Sequence, residues 1–268
     1  MLKKFSAYDG IGKNALTALI LTRPAHQNIE LINYFKDSAV TSIDCPFIKI
    51  QTLKDYVQFD SIINRLNTYN YLIFISTNAV RMFSDRMELL SLKLPENIIL
   101  ASIGKSTQEV LREKYQREVY CPVDIFDSEH LLDHSVFNDV QSKMALIIRG
   151  EGGRETLKKG LETKGAEVTY GECYKRKFLS INFKGIKKIT QNFKNIVFLI
   201  TSNESAEHFI SEVRNKDKSW LMKCSLIVNH EKIKIKLESF FDSVNVLPEI
   251  SPKNIKLAIK KQSLLVKN

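Results

Sequence analysis

Short apolar runs rich in β-branched residues recur along the chain, separated by stretches whose apolar positions return every three or four residues. The first pattern is that of a strand buried on both faces, the second that of a helix buried on one. Strands are predicted at 17–22, 40–45, 71–76, 98–103, 118–120, 145–149, 168–174, 196–201, 225–228 and 243–246. Helices are predicted at 28–36, 55–67, 106–115, 154–164, 204–213 and 252–260. Strand–helix alternation builds βαβ units and therefore parallel sheets covered on both faces. Ten strands are too many for one compact sheet in 268 residues, so two smaller doubly wound sheets are expected.

An internal echo supports the division. Phe74-Ile75-Ser76-Thr77-Asn78-Ala79-Val80 and Leu199-Ile200-Thr201-Ser202-Asn203-Glu204-Ser205 both pass from an apolar run through hydroxyl and amide residues into a helix. The strands at 19–22 and 146–148 each end at an arginine, Arg23 and Arg149. The chain reads as one unit used twice.

Composition narrows the class. A hydrophobic fraction of 44% and a charged fraction of 26% are those of an ordinary globular protein. The apolar stretch 15–22 is too short to cross a bilayer, and no membrane partner is expected. Lys3 and Lys4 precede a polar, glycine-bearing segment, 5–14, rather than the apolar run of a secretory leader, so a cytoplasmic location is expected. Cys45, Cys121, Cys173 and Cys224 form no CxxC pair, which argues against a disulfide framework or a zinc site. Cys45, Cys173 and Cys224 lie among apolar residues and read as buried thiols.

Parallel α/β sheets bind ligands beyond the carboxyl ends of their strands, where the free amides of helix first turns attract anions. Here those positions hold Ser76-Thr77-Asn78, Gly104-Lys105-Ser106-Thr107, the loop Arg149-Gly150-Glu151-Gly152-Gly153-Arg154, and Thr201-Ser202-Asn203. Singly, each is also what an ordinary helix cap looks like. The glycine loop lacks the last glycine of a dinucleotide fingerprint and the Gly-Lys-Ser/Thr of a P-loop. Together the four places fit an anionic ligand other than a nucleotide. His130 and His134, four apart, lack a third metal ligand at fixed spacing and read as a solvated helix face. The run 232–236 alternates lysine and isoleucine without interleaved aromatics. It reads as an exposed face, and nucleic acid is not an expected partner despite the net charge of +10.

These residues resemble the uroporphyrinogen-III synthase family along most of the chain. Leu19-Ile20-Leu21-Thr22-Arg23-Pro24 is similar to the family's opening strand and turn. Phe74 through Val80 is similar to its Phe-Thr-Ser-x-Asn-Ala-Val segment, with Ile75 in place of threonine. Ile103-Gly104-Lys105-Ser106-Thr107 matches its Ile-Gly-x-x-Thr turn, and Ile148 through Arg154 its Arg-Gly-x-Gly-Gly-Arg loop. Cys173-Tyr174-Lys175-Arg176 resembles its returning tyrosine strand, and Ile250-Ser251-Pro252 its last turn. One departure stands out: Asn229-His230-Glu231-Lys232 holds neither the glycine nor the hydroxyl of a second Ile-Gly-x-x-Thr turn.

The resemblance implies two doubly wound, flavodoxin-like parallel-sheet domains joined by a two-stranded antiparallel ladder near 46–50 and 173–177. The first domain, 1–46 with 174–268, is discontinuous and carries 24 Lys/Arg against 12 Asp/Glu; the second, 47–173, carries 16 against 18. The implied substrate is hydroxymethylbilane, a linear tetrapyrrole bearing acetates and propionates. It closes to uroporphyrinogen III with loss of water and inversion of ring D through a spiro intermediate. Tyr174 is implied as the hydrogen-bond donor to the departing hydroxyl, or else as a tyrosine that only packs in the ladder. Carboxylate contacts fall to Arg23, Ser76, Thr77, Asn78, Ser106, Thr107, Arg149, Gly150, Gly152, Gly153, Arg154, Ser202 and Asn203. No metal or organic cofactor is implied, and the chain is expected to act as a monomer, with transient contact with the enzyme that supplies the bilane. The altered turn leaves a second reading, a relative that binds tetrapyrroles or carboxylates without turnover.

Overall fold

The computed structural model describes residues 17–213 and 219–265, with side chains to residue 261. Segment 3–14, weighed above as a leader, lies outside them. The described strands are β1 (Thr17–Leu21), β2 (Val40–Asp44), β3 (Ile48–Gln51), β4 (Tyr71–Phe74), β5 (Ile99–Ser102), β6 (Val119–Tyr120), β7 (Met144–Gly150), β8 (Glu167–Phe178), β9 (Asn195–Ile200), β10 (Ser225–Val228) and β11 (Val244–Val246). The α-helices are α1 (Ile29–Phe35), α2 (Val57–Ile63), α3 (Thr77–Leu89), α4 (Lys105–Tyr115), α5 (Ser128–Leu132), α6 (Thr156–Thr163), α7 (Phe183–Thr190), α8 (Asn203–Val213), α9 (Glu231–Leu237) and α10 (Pro252–Leu265). Mixed α/β architecture with parallel sheets follows the periodicity. The chain forms two compact units, one made of the chain up to Lys49 and from Lys177 on, the other of Ile50–Arg176.

In the first unit the sheet order is β11-β10-β9-β1-β2, with every neighbouring pair parallel. The chain steps outward once, from β1 to β2, then winds the other way through β9, β10 and β11. The strand order thus reverses between β1 and β9, the place where such sheets bind ligands. All five residues of β1 are buried, as expected of a central strand covered on both faces. One covering layer is aromatic. Phe209, fully buried, stacks on Phe47 at 5.4 Å and Phe241 at 5.2 Å, and tilts against Phe198 at 5.2 Å and Phe183 at 6.0 Å.

In the second unit the order is β3-β8-β7-β4-β5-β6, and β4–β5, β4–β7, β5–β6 and β7–β8 are parallel. This differs from the flavodoxin-like order expected. The chain takes two outward steps, to β5 and the two-residue β6, before it crosses back to β7, so the reversal lies between β4 and β7. On one face α3 lays Ala79, Val80, Phe83 and Met87 over Leu72, Phe74, Leu146 and Ile148. Leu131, Leu157 and Leu161 cover Ile73 and Ile147 on the other.

β8 and α2 depart from the pattern reading, and α5, α7 and α9 add to it. β8 runs on as one strand of 12 residues through the segment read as a separate return strand. The helix expected at 55–67 ends at Ile63, where a 3₁₀ turn at Leu66–Thr68 follows. The alternation at 232–236 mimics a strand, yet it lies in α9, because Ile233 and Leu237 sit four apart on the buried side while Ile235 stays 61% exposed. Among the described residues, no helix is long and apolar enough to cross a membrane.

Two outcomes follow from this packing. Phe209→Ala is expected to cost about 3–5 kcal/mol, read as a lower urea midpoint with an unchanged transition slope. Burial pushes the thiols of Cys45, Cys173 and Cys224 up to about 12 and raises that of Cys121. These groups therefore stay protonated through neutral pH, and their thiolates appear only as pH approaches those raised values. A chromogenic disulfide reagent at pH 8 should find no fast-reacting thiol in the folded protein and four after denaturation.

Candidate functional site

The reversal in the second unit brings together the ends of β4 and β7, and with them most of the residues singled out in the sequence. Ser76 leaves β4 in an extended conformation and caps α3, its Oγ accepting the Ala79 N–H at 3.2 Å. The same Oγ lies 3.1 Å from the Tyr174 hydroxyl. Tyr174 reaches this place through an irregularity in β8. Glu172 pairs with Arg149 but Tyr174 pairs with Gly150, so one extra residue, Cys173, is taken up between them. The tyrosine is 2% exposed and packs onto Gly150 so closely that a Cβ there would lie 2.5 Å from its ring. Thr77 is half-buried and Asn78 buried on the first turn of α3.

Past Gly150 the loop is tied down by its own arginine. Arg149 is 3% exposed, and its guanidinium donates to the carbonyls of Gly150 and Arg154, both at 3.3 Å, and to that of Gly152. The cation lies over the Tyr170 ring at 4.3 Å, with Glu155 at 3.9 Å and Glu172 at 3.8 Å. Burial, opposed by Arg149 and reinforced by Glu155, pushes the Tyr170 hydroxyl up to about 12. Gly153 takes φ +110°, and a Cβ on it would stand 2.7 Å from Arg149 Nη2, so glycine is required both by the turn and by the guanidinium beneath it. The loop's backbone already holds a carboxylate, for the Gly152 N–H donates to Glu172 Oε1 at 3.0 Å. Arg154 itself is exposed. Nothing in the sequence marked Glu172, whose place opposite Arg149 is set only by strand register.

The neighbouring strand end belongs to Gly104, which begins α4 without a side-chain cap. A Cβ there would meet nothing within 4 Å, so the backbone is open. Ser106 is exposed, whereas Thr107 is buried. Separately, a cavity of about 610 Å³ lies against the outer part of β8, lined by Lys54, Phe59, Lys158, Tyr170, Glu172 and Lys175 among others. It borders the glycine loop through Glu151, whose carboxylate pairs with Lys175 at 2.8 Å.

In the first unit the reversal joins the ends of β1 and β9. Thr22 Oγ1 donates to the Leu199 carbonyl at 2.6 Å and clamps the two strands. Arg23 is held by its own turn, donating to Gln27 O at 2.5 Å and Asn28 Oδ1 at 3.3 Å. Burial lowers its pKa, partly opposed by Glu30. Fully buried Asn28 also donates to Asp44 at 2.7 Å; burial raises the Asp44 carboxyl and this bond opposes the rise. Ser202 caps α8, accepting the Ser205 N–H at 3.1 Å and donating to the Ser205 hydroxyl at 2.9 Å. Asn203 and Asn229 each bury a side-chain oxygen without a hydrogen-bond partner. They follow neighbouring strands, paired through Ile200 and Val228. The turn that lacks the family's glycine and hydroxyl is nevertheless capped, because His230 Nδ1 accepts the Lys232 N–H at 3.1 Å. His134 does the same for Val136, and His130 pairs with Asp127 at 2.5 Å. Among the described residues no group of histidine, cysteine or acidic side chains is placed to hold a metal ion.

Capped helix starts, a glycine loop whose amide holds the Glu172 carboxylate and a buried tyrosine thus meet at the strand ends of the second unit. A family model described as uroporphyrinogen-III synthase HemD matches residues 30–251. The uroporphyrinogen-III synthase of Proteus mirabilis is 30% identical over 162 residues, 60% of this chain and 81% of that one. That of Escherichia coli is 26% identical over 219 residues, 81% and 88% of the two chains. Among solved structures, a mutant uroporphyrinogen III synthase of Thermus thermophilus superposes with a TM-score of 0.64 at 12% identity, covering 94% of this chain and all of that one. The enzyme of Helicobacter pylori gives 0.54 at 15%, covering 91% and 99%. Sequence and fold together establish that this chain belongs to the uroporphyrinogen-III synthase family.

Proposed function

We propose that the chain cyclises hydroxymethylbilane to uroporphyrinogen III with inversion of ring D, and that the carboxylates of the bilane are held at the strand ends described above. The observation that carries the carboxylate reading is the Gly152 amide, which binds the Glu172 carboxylate at 3.0 Å above a buried guanidinium. A backbone arranged for one carboxylate suits another of the same geometry. In this reading Arg149 acts from below, holding the carbonyls of Gly150, Gly152 and Arg154 and leaving room only for glycine at Gly153, while the exposed side chains of Arg154 and Ser106 meet the substrate directly. The amides and side chains at Ser76, Thr77 and Asn78, at Thr107, and at Arg23, Ser202 and Asn203 supply the remaining contacts.

Two compact units support a two-domain enzyme whose first domain is discontinuous, 1–46 with 174–268 around 47–173, with β3 and β8 as the connecting ladder. The excess of lysine and arginine in the first of these segments favours a polyanionic substrate. The reading carries with it a monomer working in the cytoplasm, which receives its bilane from the enzyme before it.

Bound bilane is reactive by itself, since loss of its hydroxyl leaves a cation that the pyrrole nitrogens stabilise. The protein's task is orientation, holding the chain bent so that the spiro route outruns direct closure; ~1.4 kcal/mol of preference is worth tenfold in product ratio. Tyr174 donates its phenol proton to the departing hydroxyl. Its hydroxyl stands at the β4–β7 reversal, and its ring is immobilised on Gly150.

The test generates the bilane in situ, adds or withholds the chain, and separates the oxidised products by isomer. Type III is expected to dominate only when the chain is present; type I at high enzyme concentration sinks the assignment. Tyr174→Phe is expected to slow type III formation by about 10²-fold. Gly150→Ala should displace the tyrosine ring and destabilise the fold by about 1–3 kcal/mol, seen as a lowered melting temperature together with a smaller type III fraction.

A further inference from the structure

We propose that Glu172 is an internal stand-in for a substrate carboxylate: in the free protein it occupies the Gly152 amide, and the bilane takes its place by displacing it into the adjoining cavity. The proposal rests on the reading that the loop 149–154 receives carboxylates of the bilane. It makes Glu172 a residue that sets the affinity of the loop for its ligand.

The loop does not depend on Glu172 for its shape. Its carbonyls are held by two guanidinium groups. Arg149 takes those of Gly150, Gly152 and Arg154, and Arg176 takes those of Glu151 and Gly152 at 2.9 and 3.2 Å. The Glu172 bond is made instead to an amide, and it is open to solvent. The Glu172 side chain is 39% exposed, against 3% for Arg149. The space beside that amide is open as well. A Cβ on Gly152 would meet nothing within 4 Å, whereas one on Gly150 would strike Tyr174 and one on Gly153 would strike Arg149.

Charge decides what takes the place of Glu172. The buried Arg149 has Glu172 at 3.8 Å and Glu155 at 3.9 Å. A buried cation that loses a carboxylate without replacement is left at high cost, so Glu172 leaves in exchange for another anion. A carboxylate is suited to that exchange because it accepts the same charge-assisted amide bond. The displaced side chain has somewhere to go. It already lines the cavity of about 610 Å³, where Lys54, Lys158 and Lys175 stand against two other carboxylates, Asp55 and Glu151. A site filled by the protein's own carboxylate is available only part of the time, and its apparent affinity falls by that fraction. The product carries the same carboxylates as the bilane, so Glu172 returns to the amide as product leaves.

The experiment titrates the full chain with uroporphyrin III, the stable oxidised form of the product, and follows its fluorescence in wild type, Glu172→Gln and Glu172→Ala, with melting temperatures taken alongside. Glu172→Ala vacates the amide and is expected to bind about tenfold more tightly, as for a wild-type site open about a tenth of the time. Glu172→Gln keeps an oxygen for the amide without its charge, and should bind about threefold more tightly. In type III formation both variants should lower KM with kcat within about twofold of wild type, the mark of binding shared by ground and transition states. A Glu172 that only fastens the loop predicts the opposite sign. Weaker or unchanged binding in both variants therefore overturns the proposal and leaves the carboxylate reading standing. Glu172→Ala also deprives Arg149 of a counter-charge, so its melting temperature should fall. Sodium acetate should restore it beyond the effect of equal sodium chloride, with no such difference in wild type. If acetate restores the fold while the porphyrin binds no more tightly, the substrate's carboxylate does not use the vacated amide and the proposal falls. A wild type that neither binds the porphyrin nor forms the type III isomer overturns the carboxylate reading and the proposal together.

Discussion

The contact between Tyr174 and Gly150 is the constraint on which the second unit's strand ends depend. A Cβ at position 150 would stand 2.5 Å from the tyrosine ring, so the ring occupies space that any other residue would claim. That space exists because β8 takes up an extra residue against β7 between Glu172 and Tyr174. Glu172 faces Arg149 in the regular register just before it, while the irregularity takes up Cys173, which joins the apolar layer under α3, and brings the phenol oxygen to the cap of α3. A register slip of one residue would undo all of these at once, since side chains alternate faces along a strand.

Arg149 shows how a buried charge can be tolerated and used. An isolated guanidinium at 3% exposure would be costly. Here it is surrounded by three carbonyls of the loop it supports, by the face of Tyr170 and by two carboxylates close to 4 Å away. The result is a glycine loop whose backbone is held in place from within by its own arginine. In the first unit the equivalent strand end is organised differently. Arg23 is fastened within its own turn, and the carboxamide oxygens of Asn203 and Asn229 are, with Ser42 Oγ in β2, the buried side-chain polar atoms without a hydrogen-bond partner among the described residues.

How far the sequence could be read follows from which interactions are local. Apolar periodicity located the central strands β1, β4, β7 and β9 because each is buried on both faces, and that leaves a continuous apolar run. Ser76 and Ser202 were legible at helix starts because capping is decided within four residues. The loop 149–154 was legible because glycines at positive φ leave a compositional mark. By contrast, the lysine–isoleucine alternation of 232–236, read only as an exposed face, does not show its element, since the helix there is chosen by the burial of Ile233 and Leu237 and by a histidine cap, a residue seldom counted among capping types.

What the sequence by itself determined, then, is the class of fold, the positions of the capped helix starts and the glycine loop, and, through ordered motifs, the family. The tertiary structure alone decided which strands meet at the reversals, that Arg149 supports its loop from below, that Glu172 fills the Gly152 amide, and that the Ser76 hydroxyl faces Tyr174 across 98 positions of chain. The physical reason is range. Periodicity, capping and turn chemistry act between residues a few places apart, whereas strand order, register and the irregularity in β8 are settled by long-range pairing that leaves no spacing in the sequence to read.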